Sequence, residues 1–188
     1  MYGLYRAVRY VVDQDIPGDI VECGVWMGGS AMVAAMTLDM VGDTSRGLHL
    51  YDTFEGMTPP TDHDVNHEGV HANDFLNPGD RVDGESNVWA YASLENVRRN
   101  LDHSGVARDR FHLIKGKVED TIPDQMPDAV SLLRLDTDWY ESTAHELKHM
   151  YPTLSTGGVL IIDDYGHWRG SREATDEYFA SNSGVLLN

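Results

Sequence analysis

Apolar positions fall along this chain in short, nearly continuous runs rather than in strict alternation. Ile20–Cys23, Leu48–Tyr51, Val130–Leu135 and Val159–Ile162 are the clearest, and Phe111–Ile114 is a weaker fifth. Runs this short, rich in branched side chains, are expected of parallel strands buried on both faces. Between them the period lengthens. Ser30–Val41 is apolar nearly all round, which predicts a buried helix. Ser93–Leu101 places Leu94, Val97 and Leu101 on one face and Glu95, Arg98 and Arg99 elsewhere, which predicts an amphipathic one. Ser142–Leu154 opens on a capping residue and reaches Gly157-Gly158, read as a helix stop. Ser171–Ala180 predicts a helix after the last strand. Strand and helix alternate, which predicts an α/β fold with a doubly wound, mostly parallel sheet.

Ligands of such sheets sit beyond the carboxyl ends of the strands, so the residues that follow each run matter most. The first strand runs into Glu22-Cys23-Gly24-Val25-Trp26-Met27-Gly28-Gly29-Ser30. A turn carrying Gly24 and Gly28 lets a ligand approach the backbone, and a helix beginning near Ser30 favours negative charge. The spacing is not the dinucleotide pattern G-x-G-x-x-G. The second strand ends at Asp52, where a carboxylate can accept hydrogen bonds from both ribose hydroxyls. Together these features predict a nucleoside site; the plainer alternative is a glycine turn required only by helix–strand packing.

The next two strand ends are acidic: Leu135-Asp136-Thr137-Asp138 and Ile162-Asp163-Asp164. On neighbouring strands these four carboxylates converge, and like charges raise one another's pKa unless a cation is present. Mg²⁺, a hard cation that takes oxygen ligands, fits such a set. The alternative is a group of solvated loop acids or helix caps.

The segment Glu55–Ser86 has no clear period and contains Pro59, Pro60 and Pro78 among many acids. A loop this long reads as a lid. Within it, His67-Glu68-Gly69-Val70-His71 matches the zinc-protease pattern H-E-x-x-H, but Gly69 and the surrounding loop residues argue against the helix that mechanism needs. His167 reads as a partner of the acids or an ordinary exposed histidine. Trp89 and Tyr91 read as packing on a cofactor base or in a core.

Composition narrows the function. The 188 residues and 41 % hydrophobic content fit one domain, 1–188, with a sizeable core. A net charge of −17 excludes nucleic-acid binding by phosphate neutralisation and attraction to an anionic membrane surface. No apolar run reaches the roughly 18 residues of a membrane span. The start of the chain carries Arg6, Arg9, Asp13 and Asp15 and lacks the features of a signal peptide. The single cysteine, Cys23, rules out an intramolecular disulfide, reads as a small buried residue, and fits a reducing, cytoplasmic location.

The run Pro17-Gly18-Asp19-Ile20-Val21-Glu22-Cys23-Gly24-Val25 with Gly28-Gly29-Ser30 resembles the macrocin O-methyltransferase (TylF) family. So do Tyr51-Asp52-Thr53-Phe54-Glu55-Gly56, Leu133-Arg134-Leu135-Asp136-Thr137-Asp138-Trp139-Tyr140-Glu141-Ser142 and Ile162-Asp163-Asp164-Tyr165-Gly166. The resemblance implies a class I methyltransferase (Rossmann-like) fold, S-adenosylmethionine as methyl donor and Mg²⁺. By motif position, Asp136, Asp163 and Asp164 would hold the metal and Asp138 would be the general base. Glu22, Gly24 and Ser30 would lie by the methionine part of the cofactor, Asp52 by its ribose and Val118 near its adenine. Gly28 and Asp136 join the cofactor-contacting set. The acceptor implied is a sugar or phenolic hydroxyl of a natural product, most simply a glycoside.

The resemblance also implies two further strands, one antiparallel, yet only Gly184–Asn188 follow the last helix. The sheet is therefore expected to lack its last antiparallel strand, and the edge so exposed predicts a homo-oligomer. Two rival readings remain: a nicotinamide-dependent oxidoreductase, which leaves the acid cluster unexplained, and a non-catalytic cofactor-binding domain of the same fold.

Overall fold

The computed structural model describes residues 1–182, so Gly184–Asn188 lie outside the described residues. Five strands form one sheet: β1 Asp19–Cys23, β2 Leu48–Asp52, β3 Phe111–Lys115, β4 Val130–Leu135 and β5 Leu154–Ile162. All neighbours are parallel, in the order β3-β2-β1-β4-β5. The chain therefore winds outward from β1 in one direction and then returns to its other side at β4. The expected doubly wound sheet and class I architecture are what the chain adopts.

The helices are α1 Tyr2–Asp13, α2 Gly29–Val41, α3 Leu94–Asp102, α4 Val118–Thr121, α5 Tyr140–His149 and α6 Arg169–Ser181. The nearly continuous apolar runs are explained by two cores. Ile20, Leu48, Leu50 and Leu132 pack with α1, α2 and α3 on one face of the sheet. Val21, Cys23, Tyr51, Leu133 and Leu135 pack against Val118, Leu147 and Met150 on the other. Each strand alternates its side chains between faces, but both faces are dry.

Two local expectations are corrected, and a helix forms where none is predicted. The start of the chain is a helix, because Leu4, Ala7, Val8 and Val11 make a buried stripe at helical spacing in α1. The helix expected over Ser142–Leu154 begins earlier and ends at His149. Its first N–H, from Tyr140, is capped at 2.8 Å by Asp64 of the long loop rather than by a residue just before it. Ser142 donates instead to Glu119 at 2.9 Å. Pro152 disfavours helical backbone at Tyr151, so the helix stops before Leu154. Gly157-Gly158 lie inside β5, not at a helix end. There the register against β4 jumps, from Val130 opposite Leu154 to Leu132 opposite Val159, and Gly157 takes φ +82°.

The segment after β2 folds back onto the ends of α5 and α6. Asn66 pairs with Trp168, and Ala72, Trp139 and Trp168 form a small core joined by Met57, Leu76 and Val88. His67–His71 is a tight turn, closed by Asn66 N–H to Val70 O at 2.9 Å, and not a helix. That removes the geometry the H-E-x-x-H reading required.

Gly24 shows how tightly the sheet edge closes. It has φ +82°, and a Cβ placed there would stand 2.0 Å from the Asp136 carbonyl oxygen of the neighbouring strand end. Gly24→Ala is therefore expected to lose about 1–3 kcal/mol of stability, the scale of one strained backbone residue, with the clash adding to it. Urea denaturation measures this; an unchanged midpoint would show that the two strand ends are not locked together.

Candidate active site

The strand register sets the site. Cys23 pairs with Tyr51 on one side and Leu135 on the other, and Leu135 pairs with Ile162. Gly24, Asp52, Asp136 and Asp163 thus leave the sheet side by side along one edge. Between them lies a cavity lined by Gly24, Trp26, Asp52, Val118, Asp136 and Asp138, among others.

Asp52 organises the glycine turn. One carboxylate oxygen accepts the N–H groups of Val25 and Trp26 at 2.8 and 3.0 Å, and the other accepts that of Phe54 at 2.7 Å. Burial pushes its carboxyl up, opposed by those three N–H groups. Trp26 is held at φ +46° with its ring at the cavity mouth. Val118, at the start of α4, forms the facing wall.

Glu22, Ser30 and Gly28 are not brought into this cavity. Ser30 donates to Glu22 in a buried hollow beneath it, shared with Arg134. A Cβ on Gly28 would stand 3.2 Å from Leu101 of α3, so that glycine serves helix packing. These three support the turn from below.

The acidic half is compact. One oxygen from each of Asp136, Asp163 and Asp164 lies within 4.8 Å of the others, the spacing a single cation can bridge. Arg134 threads among them, donating to Asp136 at 2.6 Å and to Glu22 at 2.7 Å and pairing ionically with Asp163 at 3.0 Å. Burial pushes the Asp136 carboxyl up to about 8; Arg134 opposes this, and Asp164 and Asp163 add to it. Asp138 sits at φ +65°, and its N–H donates to Asp164 at 3.2 Å. Burial, with Asp164 beside it, pushes the Asp138 carboxyl well up, and Asp164 is raised by burial as well. The donor set is all carboxylate, the oxygen chemistry a hard divalent cation takes, and the raised carboxyls mark a place where positive charge is short.

Four residues were not singled out from sequence. Arg134 carried a readable signal, a lone charge inside an apolar strand, which must find partners when buried. Trp168 adjoins Asp138. Thr137 and Glu146 meet beneath the acidic turn at 3.2 Å. His167 stands beside His67, ring centres 5.1 Å apart, at the exposed rim.

A parallel sheet wound outward from β1, with a glycine turn and a carboxylate at its first two strand ends, defines a class I methyltransferase fold. The solved O-methyltransferase NovP superposes with a TM-score of 0.80 at 31% identity, covering 96% of this chain and 71% of that one. The family model described as Macrocin-O-methyltransferase (TylF) matches residues 1–185, and the chain belongs to that family. Among its relatives are the 8-demethyl-8-(2,3-dimethoxy-alpha-L-rhamnosyl)-tetracenomycin-C 4'-O-methyltransferase of Streptomyces olivaceus, 36% identical over 94% of this chain and 63% of its own length. The demethyldecarbamoylnovobiocin O-methyltransferase of Streptomyces niveus is 33% identical over 95% of this chain and 64% of its own length. This chain thus spans just under two thirds of those relatives.

The raised carboxyls give a pH signature. A group whose pKa rises on folding binds its proton more tightly in the folded state. Its stabilisation is full at acid pH and is lost as pH climbs from the ordinary carboxylate range to about 8, the value for Asp136. Metal-free protein should therefore melt at a lower temperature at about pH 9 than at about pH 6, and Mg²⁺ should raise the melting temperature more at the higher pH, where its ligands are deprotonated. Equal Mg²⁺ effects at both pH values would argue against carboxylate ligation.

Proposed function

We propose that this chain is an S-adenosylmethionine-dependent, divalent-metal-assisted O-methyltransferase acting on a hydroxyl of a glycosylated natural product. The observation that carries this reading is the meeting, on one sheet edge, of a cavity lined by Gly24 and Asp52 with the Asp136, Asp163 and Asp164 oxygens. The relatives add support: their names describe methylation of tetracenomycin, novobiocin and mycinamicin derivatives, one of them rhamnosylated.

When bound, the sulfonium donor supplies an electrophilic methyl group and the cation lowers the pKa of the acceptor hydroxyl. This chain's residues do the rest. Asp52 and the Gly24–Trp26 turn take the nucleoside, and Val118 closes against the adenine. Asp136, Asp163 and Asp164 hold the cation, with Arg134 fixing one oxygen each of Asp136 and Asp163. Asp138 takes the hydroxyl proton; its raised pKa makes it a stronger base than a solvated carboxylate. The segment 55–86 acts as a lid already seated on Trp139 and Trp168.

Three variants test the assignment. Asp52→Ala should weaken S-adenosylhomocysteine binding by about 1–3 kcal/mol, the cost of unpaired buried polar groups. Asp138→Asn should keep metal affinity while turnover falls about 10²–10⁴-fold, whereas Asp136→Asn should lose the metal. S-adenosylhomocysteine should also slow tryptic cleavage at Arg81 in the lid. Calorimetry showing binding of NAD and none of S-adenosylhomocysteine would overturn the cofactor; normal turnover of both aspartate variants in chelator would overturn the metal-assisted mechanism.

We also infer self-association. Among the described residues β5 ends the sheet, and an unpaired strand edge invites a second chain. Light scattering should report a dimer or larger species; a stable monomer at high concentration would refute this.

A further inference from the structure

Helix α5 turns Thr143, Glu146 and Leu147 inward, onto the core built by Leu133, Leu135 and Met150. Leucine would suit position 146. Instead a carboxyl is buried there with no exposure at all. Its Oε2 accepts the Thr137 hydroxyl at 3.2 Å, the Cys23 thiol lies against it, and its Oε1 has no partner. Burying a carboxyl with an unmatched oxygen costs stability, so its presence asks for a gain elsewhere.

The gain is visible one bond away. Thr137 lies between Asp136, assigned to the metal, and Asp138, assigned as base. That turn is under strain, since Asp138 holds φ +65° without being glycine. Such a residue persists only where its surroundings over-determine it. Three restraints do so: Asp136 N–H to Cys23 O at 2.9 Å, Asp138 N–H to Asp164 at 3.2 Å, and Thr137 to Glu146 at 3.2 Å. The first two tie the turn to flanking strand ends; Glu146 ties the Thr137 side chain downward, to the buried face of α5. Burial pushes the Glu146 carboxyl well up.

We propose that Glu146 is a positioning residue: from beneath, through the Thr137 hydroxyl, it sets the turn that aims Asp136 and Asp138. This rests on the functional reading above, so the test includes a readout that needs neither metal nor acceptor.

Glu146→Leu, Glu146→Gln and Thr137→Val are compared with the wild type by Mn²⁺ titration, thermal melting and amide hydrogen exchange. Glu146→Leu should weaken Mn²⁺ binding by about tenfold or more, as loss of a partner behind a metal ligand does. It should also speed exchange of the 136–139 amides. Yet it should melt at or above the wild-type temperature, because an apolar side chain replaces a poorly satisfied carboxyl. Glu146→Gln, which keeps an acceptor oxygen, should stay near wild type. Thr137→Val should match Glu146→Leu in exchange and Mn²⁺ binding but melt lower, because it leaves the buried Glu146 carboxyl with no partner, and the double variant should add nothing further to the exchange and binding losses. The proposal is overturned if Glu146→Leu leaves exchange and Mn²⁺ affinity unchanged, or if it melts lower with faster exchange along all of α5, which would mark a packing role. Should Glu146→Leu fail to fold, normal exchange in Thr137→Val overturns it equally. A wild type that binds no Mn²⁺ would sink the metal reading, while the exchange comparison would still decide the role of Glu146.

Discussion

Arg134 is the interaction on which the acidic edge depends. It stands in a central strand with its guanidinium among Glu22, Asp136 and Asp163, at 2.6–3.0 Å from an oxygen of each. Without it, parallel strands in this register would bring several carboxylates together with only water and backbone dipoles to oppose their repulsion. Taking that many charges out of water is unfavourable unless opposite charge is close and hydrogen-bonded. A single guanidinium meets part of this need. Burial still pushes the Asp136 carboxyl up to about 8, so the edge is short of positive charge, a need that a divalent cation would meet. Surface pairs such as Arg9 with Asp13 at 3.8 Å, both about half exposed, have no comparable influence.

The same register explains why the fold was so legible. Strands buried on both faces are apolar at most positions, which makes them conspicuous as nearly continuous runs, and the carboxylates that face the cavity follow at their ends. Asp52, Asp136 and Asp163 each follow such a run, so placing the strands placed the acids. Only the order of strands in the sheet was needed to bring them together. The helices were less legible where long-range contacts decide their limits. The cap on α5 comes from Asp64, 76 residues earlier than Tyr140, and nothing local to either residue announces the pair. In β5, glycines that resemble a helix stop instead accommodate a shift of register.

The candidate site was legible to the depth of the strand ends and no further. Gly24, Asp52, Val118, Asp136 and Asp138 line one cavity, whereas Glu22, Gly28 and Ser30 lie behind it. The distinction follows from strand geometry. Glu22 is within β1, so its side chain is committed to a face of the sheet; Gly24 is beyond the last paired residue, where the backbone turns outward. Adjacency in a motif therefore did not mean a shared place in the cavity wall. Glu146 was illegible for a different reason. A glutamate in an amphipathic helix is ordinarily on the wet face, and only the packing of α5 on β4 reveals that this one is on the dry face.

The long loop joins these two levels of organisation. Its composition, rich in proline and acid, reads as unstructured, and it contains no long helix or strand. Yet Asp64 is fully buried, accepts the N–H and hydroxyl of Thr61 at 2.7 and 2.9 Å, and caps α5. Gly170 of α6 must lack a Cβ, which would stand 2.2 Å from the same carboxylate. Trp139 donates to the Thr58 carbonyl at 2.9 Å and packs edge-on to Trp168, ring centres 4.9 Å apart. Trp139 is the residue after Asp138, and Trp168 follows Asp163 and Asp164 by one turn. The loop is thus fastened to the backbone that carries the acids, not merely draped over it. Movement of such a loop cannot be independent of the acidic turn: lifting it would expose Trp139 and Trp168 and uncap α5 at once, so loop and acidic edge are built to form together.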